Sequence, residues 1–396
     1  MATVQVNQRG GASQQPVTPA DVYGDSHAVR MAFLQSAIRE KVQLQQLANT
    51  GSGAQAIIMP TAGLLRKARL HVNGTYTTGA SAAGGAVTKD GIYKIIGRST
   101  FKDAGNQTRI DVASGWHLYA VMANNSKSGH DPSFATVASA QGGNIFAAPT
   151  PSATSTAYKF AFWLDYPFVW NKYDLRGLTN LNSAGRQATF MVYLVNQLYN
   201  DDTYPLSFGT AGATLTDITL TPNLWLYTMT AQQNKQGVSV PVPMNDLQIM
   251  QEITQNTIGT VPGSDNYYLI QPGRSVHKIY QRLILNGLQE PTTINTDTGV
   301  SSAGWDRIKF RYDNRNTPVD IRYADYLQDY RDETSRDFNG IFWDFTDRPW
   351  DSILTPQLQV GGKLTSDAST SGLCELDTVV HALVRMPTVN VLGLAA

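Results

Sequence analysis

The sequence predicts an all-β protein built from two sandwich or jelly-roll domains in tandem. Three observations carry this reading. Apolar residues recur at every second position in many short runs, separated by Gly-, Ala- and Ser-rich stretches, as in the half-buried strands of a sandwich. A chain of 396 residues exceeds what one core usually supports. Near its middle the polar run Gln232–Gly237 leads into Pro241 and Pro243, which cannot both sit in a central strand. Residues 232–258 therefore read as the join between domains, with a short helix-like piece at Asp246–Ile253. A long loop inside one large β domain is the alternative.

Composition narrows the function. Charged residues make up 16% of the chain, against about 25% in average domains. Thirty-one basic residues balance 31 acidic ones, so the basic footprint of a sequence-specific nucleic-acid binder is missing. A low-charge surface suits a protein that buries much of itself against its own copies. The single cysteine, Cys374, excludes an intrachain disulfide and a cysteine zinc cluster, and nothing contradicts folding in a reducing cytoplasm. No uncharged apolar run reaches the ~18 residues of a membrane span. Met1–Gln5 lack the basic and apolar regions of a signal peptide.

Taken in order, the first 25 residues are polar and read as a flexible arm. An amphipathic helix is expected next, capped at Asp25 or Ser26 and stopped by Asn49 and Gly51. Val29, Phe33, Ala37, Leu44 and Leu47 fall near one face, with Leu34, Ile38 and Val42 beside them. Arg30, Arg39 and Lys41 make this helix weakly basic, so it can pack on its own domain, face an anionic membrane, or do both.

Period-two alternation begins at Gln55. Lys67–Val72 is one such run; another is Ile110–Ala120, with Ile110, Val112, Trp116, Leu118 and Ala120 on one side of a strand bent near Ser114-Gly115. Tyr158–Trp170 is aromatic on both faces, which makes Phe162 and Trp163 core anchors. Asp174–Leu181 suits a short helix, Phe190–Val195 a strand, and Trp225, Tyr227 and Met229 close the first domain, with Trp225 as an anchor.

The second half follows the same plan. Strands are expected at Tyr267–Ile270, Val276–Leu285 and Ile308–Tyr312, then a charged helix at Tyr323–Thr334, the strand Ile341–Phe345 anchored by Trp343, and a last strand through Val380–Met386. The boundaries that result are 1–53 for the arm and helix, 54–235 for the first domain, 236–260 for the linker and 261–396 for the second.

Motifs for chemistry are weak. Gly24-Asp25-Ser26-His27 matches the nucleophile block of one esterase class, but the serine follows a proline-rich arm, and the late pair Asp377 and His381 has the wrong spacing. It reads as a helix cap. Gly84–Lys89 lacks the Gly-Lys-Ser/Thr ending of a phosphate loop, and Asn295–Gly299 lacks the later glutamate of a calcium loop. The six histidines show no metal-ligand spacing, and no cofactor is expected. Asp325, Asp329 and Asp332 share one helix with Arg331 beside Arg322, an ion-paired solvated face. A carbohydrate-binding or glycoside-hydrolysing all-β protein is the alternative function, since sequence does not give distances between carboxylates.

Two blocks carry a family resemblance: Ser114-Gly115-Trp116-His117-Leu118, and Asp337–Asp344 running on to Asp347-Arg348-Pro349-Trp350. Both resemble segments of the major capsid protein of tectiviruses, phages with a membrane inside an icosahedral shell. Phe162-Trp163-Leu164 through Asp174-Leu175, and the join before Asp246-Leu247, add to the similarity. The resemblance implies a double jelly roll of two eight-stranded sandwiches, with an N-terminal helix and short helices in loops. It implies a homotrimer that forms a nearly hexagonal block and packs with neighbouring trimers, minor capsid proteins and an internal membrane around double-stranded DNA. It also implies a structural, non-enzymatic component of the virion, folded in the host cytoplasm before assembly. The N-terminal candidates for membrane or inter-capsomer contact are Arg30, Phe33, Leu34, Ile38, Arg39 and Lys41.

Overall fold

The computed structural model describes residues 34, 37–49, 53–77, 91–125, 133–136, 156–169, 177–181, 187–194, 214–228, 249–285, 288–289, 304–312, 316–334, 340–345, 350–351, 357–365 and 374–385. The arm, Gly24–His27, Arg30, Phe33, Gly84–Lys89 and Asn295–Gly299 lie outside them.

Among the described residues, sixteen strands build the two sandwiches. The first half holds β1 (Ile38–Gln43), β2 (Gly53–Ile58), β3 (Leu64–Thr77), β4 (Ile96–Lys102), β5 (Thr108–Val112), β6 (Ala157–Pro167), β7 (Thr189–Leu194) and β8 (Thr214–Thr228). The second half holds β9 (Ile249–Gly259), β10 (Asp265–Leu269), β11 (Arg274–Leu285), β12 (Trp305–Tyr312), β13 (Asn316–Arg322), β14 (Ile341–Asp344), β15 (Leu358–Leu364) and β16 (Cys374–Arg385). Leu47–Asn49, Ser133–Thr136, Thr179–Asn180, Leu288–Gln289 and Trp350–Asp351 add short pairings.

The hydrogen-bonded orders are β1-β8-β3-β6 against β2-β7-β4-β5, and β9-β16-β11-β14 against β10-β15-β12-β13. Each number in the second sandwich is eight more than its counterpart in the first, so one topology occurs twice: two jelly rolls of eight strands each. A helix occupies the same place in each, α1 (Gly115–Asn125) between β5 and β6, and α2 (Tyr323–Thr334) between β13 and β14.

Alternation builds each core. In β7, Phe190, Val192 and Leu194 point inward while Tyr193 is exposed. In β6, Phe160, Phe162, Leu164 and Tyr166 are buried and the intervening Trp163 and Asp165 face outward. The second core gathers Val276, Ile279, Leu283, Trp305, Ile308, Leu376, Val380 and Trp343. The Trp343 indole N–H donates to Gln281 Oε1 at 3.2 Å, so its polar edge is satisfied inside that core.

Four sequence expectations are corrected. The N-terminal helix does not run to Leu47. Leu34 is helical and packs with Ala37 on Leu64, Val169, Leu178 and Tyr227, but Ile38–Gln43 is an edge strand paired with β8. Ile38, Val42, Leu44 and Leu47 fit a helical face, yet the mainly exposed strand needs only Val42 turned inward, and pairing with β8 decides. Trp116 is not on a strand. Ser114 ends β5's chain path and caps α1: the Trp116 N–H donates to Ser114 Oγ at 3.2 Å and the His117 N–H to Ser114 O at 3.1 Å. Thr179–Asn180, inside the helix expected at 174–181, pairs with β3. The helix-like piece at 246–253 and the linker to 260 give way to β9, whose pairing along β16 places Ile249–Gly259 inside the second sandwich.

Candidate functional site, the seam between the sandwiches

One sheet runs through both halves. β5, at the edge of the first sandwich, pairs in parallel with β9, at the edge of the second, through Ile110↔Ile253 and Asp111↔Thr254. The Ala113 N–H extends the join by donating to Gln255 Oε1 at 2.7 Å. Helix α1 then lies over the outer face of β9-β16-β11. Ile253, Tyr280 and Val379 of the second sandwich are thereby buried in the same cluster as Trp116, Leu118 and Val121 of the first.

Asp377 is the polar centre of the seam. Its Oδ2 accepts from His117 Nε2 at 2.5 Å and from Arg282 Nε at 2.7 Å; its Oδ1 accepts from Gln255 Nε2 at 2.6 Å and Thr257 Oγ1 at 3.0 Å. The Arg282 guanidinium sits 4.4 Å from the centre of the Trp116 ring. Tyr280 Oη donates to the Val121 carbonyl at 3.3 Å.

Burial alone would raise the Asp377 carboxyl, but His117, Arg282 and the hydrogen bonds it accepts hold it well below the usual carboxylate range. Burial pushes the His117 ring below its ordinary value in spite of Asp377. His117 Nδ1 is buried and finds no hydrogen-bond partner. A cationic ring would bury an unsatisfied N–H there, so the neutral tautomer with its proton on Nε2 fits, and Arg282 supplies the charge that balances Asp377. This is a structural lock. Every oxygen of the carboxylate is spoken for, and the group has no exposure through which to meet a substrate.

Beside the lock lies a second polar row, buried at His381, Gln251 and Lys278. His381 Nε2 donates to Gln251 Oε1 at 2.9 Å, and Lys278 reaches Asp344 at 3.3 Å. Burial, with His277 and Lys278 nearby, lowers His381 to about 3. Asp377 and His381, noted in the sequence for a hydrolase spacing they fail, stand on one strand and serve different partners. Among the described residues no His, Cys, Asp and Glu cluster could hold a metal ion, and no described helix is long and apolar enough to cross a membrane.

The outer face of the first sandwich carries the other concentration of chemistry. Trp225 and Trp163, expected as core anchors, are half-buried on the outside of β8 and β6, unlike Trp116, Phe162 and Trp343, which are inside. Lys41, Lys67 and Arg69 approach the Trp225 ring at 5.2, 5.4 and 5.5 Å, and Arg69 lies 5.6 Å from Trp163. Asp165 binds Lys67 and accepts from Arg69 at 2.5 and 2.9 Å. Of the N-terminal candidates, Ile38, Arg39 and Lys41 fall on β1 and Leu34 on the preceding turn of helix.

Comparison with known proteins finds the same repeated jelly roll in solved viral capsid proteins. Residues 31–217 match the family model of the P3 major capsid protein N-terminal domain. No curated protein matches the chain. The crystal structure of the STIV major capsid protein shares the fold with a TM-score of 0.58 at 12% identity, over 90% of this chain and 100% of that one. The atomic structure of Sulfolobus Turreted Icosahedral Virus gives 0.57 at 14% identity, over 88% and 91%. The Faustovirus major capsid protein gives 0.50 at 10% identity, over 89% and 91%. The chain shares the double jelly-roll fold of these viral capsid proteins. The match of residues 31–217 to the P3 major capsid protein N-terminal domain includes Ser114–Leu118, one of the two blocks that carry the tectivirus resemblance.

Proposed function

We propose that three copies of this chain form a pseudo-hexagonal capsomer, and that such trimers tile an icosahedral shell around an internal membrane and its double-stranded DNA. The observation that carries the reading is the repeat of one strand order twice in a chain, with the two copies joined rigidly at the Asp377 seam. Three chains then supply six similar sandwiches, which a hexagonal tile requires. A heterologous contact closes into a ring when its rotation permits.

On this reading the protein has no catalytic role. Its partners are its own copies, neighbouring trimers and minor shell proteins, and it folds in the host cytoplasm before assembly. The N-terminal arm with Arg30 and Phe33 faces the membrane side, where each basic residue near anionic lipid contributes about 1 kcal/mol. The carbohydrate-active alternative asks for uncovered aromatic platforms, and the outward Trp163 and Trp225 instead lie against Arg69, Lys41 and Lys67. Light scattering on the purified protein tests the capsomer: a trimer is expected at micromolar concentration, and a stable monomer overturns it.

A further inference from the structure

The seam has two polar ends. Asp377 and His381 lie four residues apart on the outer face of β16, about 13 Å along the strand. Helix α1 covers the Asp377 end. At the other end His381 meets β11 at a register shift between Val276 and Lys278. The bulge inserts His277 beside Lys278, and both act electrostatically on His381. All three side chains are buried, as is Gln251 of β9. The first sandwich closes over this row at Gly177. A Cβ there would stand 3.2 Å from Gln251 Cγ and 2.2 Å from the Phe168 carbonyl oxygen.

The row is basic and poorly balanced. The carboxylate that reaches it is Asp344 of β14, 3.3 Å from Lys278 and itself largely in solvent. Gln251 gives His381 an acceptor without charge. Tyr280, next on the same face of β11, spends its hydroxyl on the Val121 carbonyl. Gly177 and Phe168, over the row, are uncharged. Glu252 and Arg274 alternate to the opposite face of the sheet, where they pair with each other at 3.4 Å. A proton added to either imidazole therefore meets Lys278 and the other imidazole, with one carboxylate among them. The Asp377 end is built the other way. Its carboxylate is held by Arg282, His117, Gln255 and Thr257, and that hold is undiminished above the ordinary carboxylate value of 3.8.

We propose that the seam is an acid-operated pivot: protonation of His277 and His381 opens the row end, where the sandwiches part at Gly177, while the Asp377 end holds. Opening admits water to the imidazoles and Lys278 and breaks only the contacts on that side, so it is reached before either core unfolds. The open form binds the extra proton. Between 6.5 and about 3, exposure of His381 alone therefore favours opening by up to about tenfold per pH unit of acidification. The device belongs to the single chain and does not require the capsomer reading.

Two pairs of spin labels on introduced cysteines read the two ends in the full chain, with Cys374→Ala and labelled chains diluted into unlabelled ones. Lys102→Cys with Gln271→Cys straddles the row end, and Ala113→Cys with Gly259→Cys the Asp377 end; all four positions are exposed. On acidification from about pH 7 to about pH 4.5, above the range where the Asp377 end weakens, the first distance should lengthen and broaden. The second should stay fixed, with circular dichroism unchanged. Combining His277→Gln with His381→Gln keeps polar side chains that take no proton, and should hold both distances at their neutral values. Where that variant does not fold, Lys278→Gln removes the neighbouring charge and should move the midpoint of opening to lower pH. A first distance that ignores acid, or that responds equally in the glutamine variant, overturns the pivot, as does an unmoved midpoint in Lys278→Gln. Joint movement of both pairs overturns it too, because the sandwiches then separate or unfold together.

Discussion

His117, in the helix of the first sandwich, donates to Asp377, in the last strand of the second, at 2.5 Å across a separation of 260 residues. The bond ties the two ends of the fold together where both are buried. A hinge at this seam would have to expose an ionised carboxylate and Arg282 together, which opposes opening there.

Asp377→Ala removes the centre of the lock and leaves Arg282 buried without its counter-ion. Removing one partner of a buried pair costs about 3–5 kcal/mol. Denaturant unfolding should show a loss of that size, and a change below about 1 kcal/mol would mean that the seam is held by its apolar contacts alone.

Helix propensity favours alanine over glycine, yet Gly115→Ala should destabilise. A Cβ at Gly115 would stand 2.3 Å from the Tyr93 carbonyl oxygen, 2.9 Å from Ile96 Cβ and 3.0 Å from Leu164 Cδ1. The backbone oxygen cannot rotate away, so overpacking of about 1–3 kcal/mol outweighs the propensity gain of about 1 kcal/mol. Trp116→Ala, one position on, should cost about 3–5 kcal/mol because the ring is buried and carries Arg282 on its face. Thermal melts of both variants check this, and a Gly115→Ala protein as stable as wild type would refute the close packing of α1.

Much of the fold was legible because burial and strand period coincide. Phe190, Val192 and Leu194 alternate cleanly, and Tyr323–Thr334 is the helix that its charge pattern announces. The misreadings fall where pairing overrides spacing. β1 and β9 carry apolar residues at helical intervals, and only their long pairings with β8 and β16 make them strands. Residues 110–120 alternate like a strand, and the signal missed was Ser114, an N-cap directly ahead of Gly115. Tryptophan invites assignment to a core, but Trp225 and Trp163 fall on the odd side of their strands. The seam itself was not readable. Asp377, Arg282, Gln255 and His117 are far apart in sequence and belong to no motif; only the fold brings them together.

Acid should weaken the fold through its buried imidazoles. His381 titrates near 6.5 when unfolded and at about 3 when folded. Between those values the unfolded chain binds the extra proton, so stability falls as pH drops through 6.5 toward 3, at up to about 1.4 kcal/mol per pH unit. His117, lowered by burial, adds in the same direction. The depressed Asp377 keeps its contribution down to the ordinary carboxylate value of 3.8 and begins to lose it below that, so the low end of the window steepens. His381→Gln should flatten the slope of unfolding free energy against pH. An NMR titration that places His381 near 6.5 in the folded protein would sink the argument.

Trp225 and Trp116 should respond oppositely to the same truncation. Trp116 is enclosed, so its loss is a loss of folding stability. Trp225 is half-buried, and its ring is held mainly by Lys41, Lys67 and Arg69, contacts worth about 0.5–1 kcal/mol at exposed sites. Trp225→Ala should therefore lower the unfolding free energy of the chain less than Trp116→Ala does. At an interface the ranking reverses, because a truncated tryptophan at the centre of a patch commonly costs 2 kcal/mol or more, roughly a thirtyfold rise in dissociation constant. Dissociation of Trp225→Ala measured by analytical ultracentrifugation should shift by that order, with circular dichroism unchanged. If the variant melts as early as Trp116→Ala, the ring is part of the core; if its assembly matches wild type, the outer face of β1-β8-β3 is not where copies meet.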